Sequence, residues 1–173
     1  MNLDYLLDAI RAQYALSWEG IHGISHWMRV RENGLRLAEQ TGAQIEVVEC
    51  FAYLHDAKRI NDSRDPGHGS RAAEFARVLH GNLSHGDVLG LSGEQLELLA
   101  YACAHHTDGR TEADVTVQTC WDADRLDLGR VGIVPDPERL CTAAARDAAL
   151  LEWAWKRSQA EKVWKLAGHH HHS

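Results

Sequence analysis

The placement of proline is the feature that most restricts how this chain can fold. Only three prolines occur, Pro66, Pro135 and Pro137, and each falls where the helical spacing of apolar residues is interrupted. Proline inside a helix removes a hydrogen bond and clashes with the preceding turn, so helices are confined to the stretches between these breaks. Those stretches make up most of the chain and have helical periodicity, which predicts an all-α protein.

The apolar periodicity and its stop signals divide the chain into helical segments. Segment 44–59 is the most strongly apolar, which predicts a central helix, and Thr41-Gly42 is a stop signal for the helix before it. Segment 113–128 is ambiguous, because its Val-Thr-Val run favours a strand, but its apolar residues share one helical face and we interpret it as a helix. The predicted helices cover 3–16, 25–40, 44–59, 70–79, 93–106, 113–128 and, as one helix or a pair, 138–166.

Length and charge restrict the class of protein and its partners. The 173 residues suffice for one globular domain whose core needs no disulfide. The 25 acidic residues outnumber the 18 basic ones, and this net charge of −7 disfavours nucleic acids and anionic membranes as partners. No apolar run reaches the roughly 18 residues of a membrane span, and the acidic start lacks the basic region of a signal peptide. We therefore predict a cytoplasmic protein whose four scattered cysteines are reduced.

The carboxy-terminal part of the chain combines an aromatic helix with a histidine run. Trp153, Trp155 and Trp164 are expected to pack in the core or across a dimer contact, so a homodimer is possible. The run His169–His172 is typical of an expression tag, so we predict a single domain over 1–168 and a tag remnant over 169–173. Of the twelve histidines, eight therefore remain to be explained.

His55 and Asp56 are adjacent at the end of the most apolar predicted helix. A buried imidazole beside a buried carboxylate needs partners, and a shared divalent cation satisfies both. An antiparallel hairpin of segments 25–40 and 44–59 would bring His26 beside this pair, because the two stretches leading to the connecting turn are matched in length. The alternative is a helix-terminal charge next to a hydrogen-bonded core histidine.

A second acidic cluster lies in the sequence WDADRLDLG, residues 121–129. Asp124 shares a helical face with Val117 and Trp121, so it is predicted to point inward, where it needs a neutralising partner. Asp122 and Asp127 point elsewhere on the helix, which is typical of solvated surface.

The chain resembles the HD-domain superfamily of metal-dependent phosphohydrolases. The resemblance is carried by His26, His55-Asp56 and Asp124, in this order along the chain. The similarity spans about 23–129 and rests on the Arg-Val that follows His26 by three positions, on AYLHDAKR and on DADRLD. It implies a single HD-like bundle of about six to eight helices. It also implies four metal ligands, namely His26, His55, Asp56 and Asp124.

Dinuclear members of the superfamily place extra ligands where this chain has His68 and His105, with Asp56 as the bridge and His106 as a weaker candidate. The stretch AHHTDG is similar to the HHExxDG of the cyclic-dinucleotide phosphodiesterase branch, but it lacks the glutamate and a GYP tripeptide, which disfavours that substrate. The alternatives are a loop histidine at 68 and a helix-end histidine at 105. Three further histidines beside connector glycines are predicted to lie at the surface: His22, His80 and His85.

The resemblance implies hydrolysis of a small phosphorylated metabolite, foremost a nucleotide, through attack of metal-activated water on phosphorus. Nitrogen and oxygen ligands suit Mn, Fe, Co, Ni or Zn, with one or two ions per chain. The predicted catalytic residues are Asp56, Arg59 and Asp127. Arg59 would clamp phosphate, with help from Lys58 and Arg29, and Asp127 would position a sugar hydroxyl or the nucleophile, its alternative being a surface acid.

The sequence is also compatible with two other functions. A six-ligand set that includes His68 and His105 is also compatible with a di-iron oxygenase of the same superfamily. A non-catalytic module that binds a nucleotide or phosphate is the other alternative, because the sequence has no diagnostic substrate-pocket signature. Pocket-lining residues are expected from segment 129–147, whose first part, GRVGIVPDPERL at 129–140, is interpreted as a lid or a turn.

Overall fold

A computed structural model describes the backbone of residues 1–166 and the side chains of residues 1–160. This part of the chain forms seven α-helices and two short 3-10 helices and has no strand, so the predicted all-α class is confirmed. The α-helices are α1 (Leu3–Gln13), α2 (Ile24–Thr41), α3 (Ile45–Leu54), α4 (His68–Gly81), α5 (Gly93–His105), α6 (Val115–Arg125) and α7 (Ala148–Leu166), and the 3-10 helices are Leu128–Val131 and Pro137–Arg139. The predicted tag remnant lies outside the described residues.

The central helix is α3, as predicted. Apart from Glu49, its side chains from Val47 to Leu54 are all buried. Helices α2, α5 and α6 pack around it, and α4 packs on α5. Helix α3 ends five residues before the predicted end at Arg59. The N–H groups of Ala57 and Arg59 donate to carbonyls only three residues earlier, and this interrupts the α-helical hydrogen-bond pattern. His55 and Asp56 therefore follow the helix rather than belong to it.

The hairpin of α2 and α3 forms as predicted. Gly42 ends α2 in the left-handed conformation, with φ of 74° and its N–H bonded to the Ala38 carbonyl. The two helices approach closely at Gly34, where an added Cβ would lie 2.3 Å from Val48 Cγ1. This close antiparallel packing brings the first turn of α2, with His26, beside the residues that follow α3.

A second close approach joins α4 to α5. Helix α4 begins at His68, two residues earlier than predicted, so this histidine belongs to a helical turn and not to a loop. A Cβ added at the next residue, Gly69, would lie 2.4 Å from the carbonyl oxygen of Cys103 in α5. The first turn of α4 therefore lies directly against the last turns of α5.

The chain between α6 and α7 differs from the prediction, because α7 begins at Ala148 and not near residue 138. Asp122 explains the difference. Its carboxylate accepts the main-chain N–H groups of Cys141 and Thr142 at 2.7 and 2.9 Å and the Thr142 hydroxyl at 2.7 Å. Asp122 is thus fully buried, and the prediction of a solvated surface acid was wrong.

The tryptophans of α7 pack within the chain. The guanidinium groups of Arg36 and Arg157 both lie over the Trp153 ring, 4.3 and 4.7 Å from its centroid. Trp155 packs on Gly129, while the side chain of Trp164 lies outside the described residues. The homodimer stays a prediction. Among the described helices, none combines the length and the apolarity that a bilayer crossing requires.

Gly69→Ala is expected to destabilise the fold by about 1–3 kcal/mol, because its methyl group would overlap a backbone carbonyl that cannot move to another rotamer. The measurement is the free energy of unfolding from urea denaturation followed by circular dichroism. Gly81→Ala at the other end of α4 is the control, since an added Cβ there meets no atom within 4 Å. Equal stability of the two variants would contradict the packing role of Gly69.

Candidate metal centre

Asp56 lies at the centre of a buried cluster of imidazoles. Its side chain is 3% exposed, and it follows α3 at the point where α2, α4 and the end of α5 converge. One carboxylate oxygen, Oδ2, faces His26 and His55, each with Nε2 at 3.4 Å. The other oxygen, Oδ1, faces His68 and His106, with Nε2 at 3.2 and 3.6 Å. Asp56 therefore separates two pairs of histidines.

The first pair is completed by Asp124. The Nε2 atoms of His26 and His55 are 3.0 Å apart, and Asp124 Oδ1 is 3.2 Å from each of them. This oxygen is buried but has no hydrogen-bond partner in the described part of the chain. The three side chains form a group whose ligand atoms are close enough to share one metal ion.

The second group consists of Asp56, His68 and His106. The Nε2 atoms of the two histidines are 2.8 Å apart, and all three residues are buried. His68 comes from the first turn of α4 and His106 from the residue after α5, so the close packing at Gly69 brings them together.

Hydrogen bonds on the outer side of each ring fix which nitrogen carries the proton. The Nδ1 atoms of His55, His68 and His106 lie 3.0, 2.5 and 2.7 Å from the carbonyl oxygens of Phe51, Asp65 and Cys103. A carbonyl can only accept, so each Nδ1 carries hydrogen and each neutral ring turns the Nε2 lone pair inward.

The inward nitrogens of each pair would therefore present lone pairs to each other at 2.8 to 3.0 Å. This arrangement is repulsive unless a positive charge lies between them, and a proton or a metal ion can supply it. Transition-metal ions prefer a donor set of imidazoles and carboxylates. Here one of the carboxylate oxygens is buried and has no hydrogen bond among the described residues, which leaves it available as a donor. The residues thus fit a divalent metal, as the resemblance implied, although they do not select one element.

The electrostatics of the cluster indicate the same need for positive charge. Burial acts to lower the pKa of His55, but the charges of Asp56 and Asp124 outweigh it and raise the pKa to about 10. Burial acts to raise the pKa values of Asp56 and Asp124, but the neighbouring imidazoles hold both well below the usual range. The carboxylates are therefore ionised at neutral pH, and a metal ion must compete with a proton for His55.

Asp127 lies behind His26. It is 1% exposed, its Oδ2 accepts from His26 Nδ1 at 2.6 Å, and its Oδ1 accepts from Arg29 Nε at 2.8 Å. A carboxylate in this place orients the ring and makes its inner nitrogen a stronger donor. Both oxygens are engaged and buried, so Asp127 holds the His26 ring in its orientation. The predicted contact with a sugar hydroxyl or the nucleophile does not agree with this geometry, and neither does the alternative of a surface acid.

The three cationic residues predicted to clamp phosphate occupy different surroundings. Arg59 contacts Asp56 Oδ1 through Nε at 3.3 Å and is held by the Asn61 and Ser63 carbonyls. Arg29 bonds to Asp127, and the Lys58 ammonium lies over the Phe75 ring. Of the three, Arg59 is the one beside the central carboxylate.

A cleft of about 400 Å³, which we call the arginine cleft, opens at the His68 side of the cluster. Two arginines line it, Arg59 and the exposed Arg64, and sequence reasoning did not identify Arg64. The loop that carries Arg64 is held by Asp65, which accepts two bonds from Arg71 and one from the Ile60 amide. The polar rim of the cleft is completed by Thr107 and Asp108.

The structure corrects the assignment of His105. Its side chain is 30% exposed, and Nδ1 pairs with Asp108 at 2.6 Å outside the cluster. The neighbouring His106, and not His105, lies in the second group with Asp56 and His68. The signal was present in the sequence, because His106 continues the buried stripe of Leu99 and Cys103 on α5, whereas His105 continues the exposed face of Tyr101.

His22 was also misplaced, since the prediction put it at the surface and the structure buries it beside Asp56. No periodic pattern covers the turn that carries it, so no signal in the sequence identified it. Of the other two predicted surface histidines, His85 is exposed and His80 is half-buried.

The fold is similar to that of a solved protein, a predicted HD superfamily hydrolase from an uncultured Thermotogales bacterium. The TM-score is 0.65, the sequence identity is 26%, and the match covers 96% of this chain and 92% of that chain. No protein-family model and no curated protein matched the sequence. Together with the histidine and aspartate groups, this similarity confirms the predicted HD-superfamily resemblance and supports a metal-dependent hydrolase.

His106→Ala is expected to lower the metal content of the purified protein, because it removes one of the three donors of the second group. His105→Ala, one residue away, is expected to leave the content unchanged. Elemental analysis of both variants and the parent chain measures the difference, and the shared tag histidines cancel in the comparison. Loss of metal from His105→Ala alone would reverse the assignment.

Asp127→Asn is expected to weaken metal binding by about 10–100-fold, the usual effect of removing a carboxylate that orients a metal-bound histidine. Calorimetric titration of the metal-free protein with manganese measures the change. Asp108→Asn, which alters the carboxylate paired with the half-exposed His105, is the matched control. Similar affinities for these two variants would show that Asp127 does not support the centre.

Proposed function

Because the chain has the fold and the histidine and aspartate cluster of the HD superfamily, we propose that it is a phosphohydrolase that uses two divalent metal ions. The observation that carries this proposal is the position of Asp56, whose two oxygens face two separate pairs of inward-turned imidazoles. A carboxylate in that position can bridge two cations. The substrate proposed is a small phosphate ester, in particular a nucleotide.

The division of donors between the two ions follows from the two groups. His26, His55 and Asp124 would hold one ion, His68 and His106 the other, and Asp56 would bridge them. Divalent ions supply positive charge to phosphoryl oxygens and lower the pKa of water. The chain's own residues orient this centre, through Asp127 behind His26 and through main-chain carbonyls behind the remaining rings.

Two arginines support phosphate as the group recognised. Arg59 is fixed by its bonds to Asp56, Asn61 and Ser63 and presents charge at the edge of the cluster. Arg64 lines the same cleft and is exposed. Charge-assisted bonds from guanidinium to phosphate oxygens are among the stronger hydrogen bonds in proteins. Arg64 would hold the outer phosphate oxygens and Arg59 would help to screen the charge of the bridging carboxylate.

A second cleft supports a nucleotide rather than a bare phosphate. Its volume is about 300 Å³, and its apolar wall includes Ile133, Val134 and Pro135. Gly109 lines this cleft and its neighbour Asp108 lines the arginine cleft, so both open beside the same turn. A polar cleft for phosphate next to an apolar one for a planar base matches the two chemical halves of a nucleotide.

We predict that the protein, stripped of metal and resupplied with manganese, releases phosphate from at least one member of a panel of nucleotides and sugar phosphates. Asp56→Asn is expected to abolish this activity, because the bridge loses its charge. Arg64→Ala is expected to raise KM by roughly 5–50-fold with a smaller change in kcat, as the loss of one charged phosphate contact implies.

Arg77→Ala is the control for the arginine substitution, since Arg77 pairs with Glu97 on the exposed face between α4 and α5. Phosphate release that persists in Asp56→Asn would contradict the proposal. Absence of release from the whole panel under manganese, iron, cobalt, nickel and zinc would contradict it as well.

A di-iron oxygenase is the second candidate. The observation that favours it is the same set of six side chains, four imidazoles and two carboxylates, of which Asp56 is the bridging one. The two candidates separate in one experiment with iron-loaded protein. Phosphate release without oxygen consumption supports the hydrolase. Oxygen consumption with a phosphonate or polyol, without phosphate release from any phosphate ester, supports the oxygenase. Saturable nucleotide binding without either reaction supports the non-catalytic module.

A further inference from the structure

His22 lies in the turn between α1 and α2, where its side chain is 7% exposed. The Tyr14 hydroxyl donates to the His22 carbonyl at 2.9 Å, which fixes the main chain of this turn. The ring points toward Asp56, with Nδ1 3.4 Å from Oδ2. A polar ring buried at this place needs a partner for each of its nitrogens.

The outer nitrogen of His22 has such a partner. Nε2 lies 3.2 Å from the carbonyl oxygen of Asp62, which can only accept a hydrogen bond. Nε2 therefore carries the hydrogen, and Nδ1 of the neutral ring keeps its lone pair. Within residues 1–160 this Nδ1 is a buried atom without a hydrogen-bond partner, and it faces a carboxylate oxygen that also only accepts.

The other imidazoles of the cluster share this arrangement. Each has an acceptor behind its outer nitrogen and a carboxylate oxygen of Asp56 in front of its inner one. The inner nitrogens of three rings lie 3.4 Å from Oδ2, namely those of His22, His26 and His55. Two rings, His68 and His106, face Oδ1. By this geometry His22 belongs with the first pair.

We propose that His22 is an additional ligand of the metal ion that His26, His55 and Asp124 hold. The inference rests on the metal centre of the proposed function but not on the reaction it catalyses. Nδ1 supplies the lone pair and the Asp62 carbonyl orients the ring, as the Phe51 carbonyl does for His55.

This ligand makes the two ions unequal. Five protein donors would hold the first ion, from His22, His26, His55, Asp56 and Asp124, whereas three would hold the second, from His68, His106 and Asp56. An ion with roughly six coordination positions would find nearly all of them supplied in the first group, and about half of them in the second. Because the arginine cleft is lined by His68, the open positions and the cationic residues occur on the same side. The substrate phosphate would therefore bind on the side of His68 and His106.

The test is a titration of the metal-free protein with cobalt(II), followed by calorimetry and by visible absorption. The parent chain is expected to bind two equivalents with unequal affinity. His22→Ala is expected to weaken the tighter equivalent by at least about tenfold, to change its absorption bands and to leave the weaker equivalent unaltered. The absorption spectrum reports the ligands themselves, so a role confined to packing would not change it.

His80→Ala is the matched control. His80 also has a ring nitrogen bonded to a main-chain carbonyl, that of Leu91 at 3.1 Å, but it lies twelve residues after His68 along α4, roughly 18 Å away. Identical titrations of His22→Ala and His80→Ala would overturn the assignment of His22 and leave the metal centre intact. A parent chain without tight cobalt binding beyond that of the shared tag would overturn the metal centre itself.

If circular dichroism shows that His22→Ala is unfolded, His22→Asn replaces it. Asparagine keeps a polar group near the position of Nδ1, but its amide oxygen is a poorer donor than imidazole for a transition-metal ion. The same loss of the tighter equivalent is expected. Parent-like affinity and spectrum in this variant would overturn the proposal.

Discussion

The mutual repulsion of inward-turned imidazoles is the constraint on which the site depends. Main-chain carbonyls fix the outer nitrogens of His55, His68 and His106, and this leaves lone pairs that oppose one another around Asp56. Such a cluster is stable only with positive charge at its centre. The fold therefore holds the rings in a position that costs free energy without a proton or metal ion, and the hydrophobic core around α3 must sustain that cost.

The backbone makes this concentration of rings possible through two close helix contacts. Gly34 lets α2 approach α3, and Gly69 lets α4 approach α5, so the histidines at or just beyond the helix ends converge on one carboxylate. The residues of the cluster are polar, but the residues that let the helices approach are small and apolar. The geometry of the site is in this sense a property of the packing of the whole bundle.

Much of this arrangement could be predicted from the sequence, because periodicity and adjacency carry the information. The pairing of α2 with α3 and the inward face of α6 follow from apolar spacing, and they bring together His26, His55 and Asp124. The choice between His105 and His106 depended on one residue of helical phase, about 100° of rotation, and it required following the buried stripe of α5 to its end.

Other features had no local signal. His22 lies in a turn, and its burial depends on how α1 and the loop after Asp56 pack around it, which no spacing of residues encodes. The same holds for Asp122, whose partners at 141 and 142 come from a segment that the apolar spacing assigns to a helix. Arg64 was missed for a similar reason, since a solvent-exposed arginine in a loop has no distinctive neighbours in sequence. Tertiary contacts of irregular segments are what sequence reading leaves out.

The attachment of the 140–147 segment through Asp122 bears on how proteins of this kind can diversify. Its carboxylate binds the main-chain N–H groups of residues 141 and 142, which every amino acid except proline provides. The side chains that line the apolar cleft just before this segment can therefore change while the attachment to α6 persists. Asp124 lies on the same helix two residues further on, so its position is shielded from such changes. One cluster of histidines and aspartates can in this way accompany many different cleft sequences, and selection for a new substrate can proceed without reshaping that cluster.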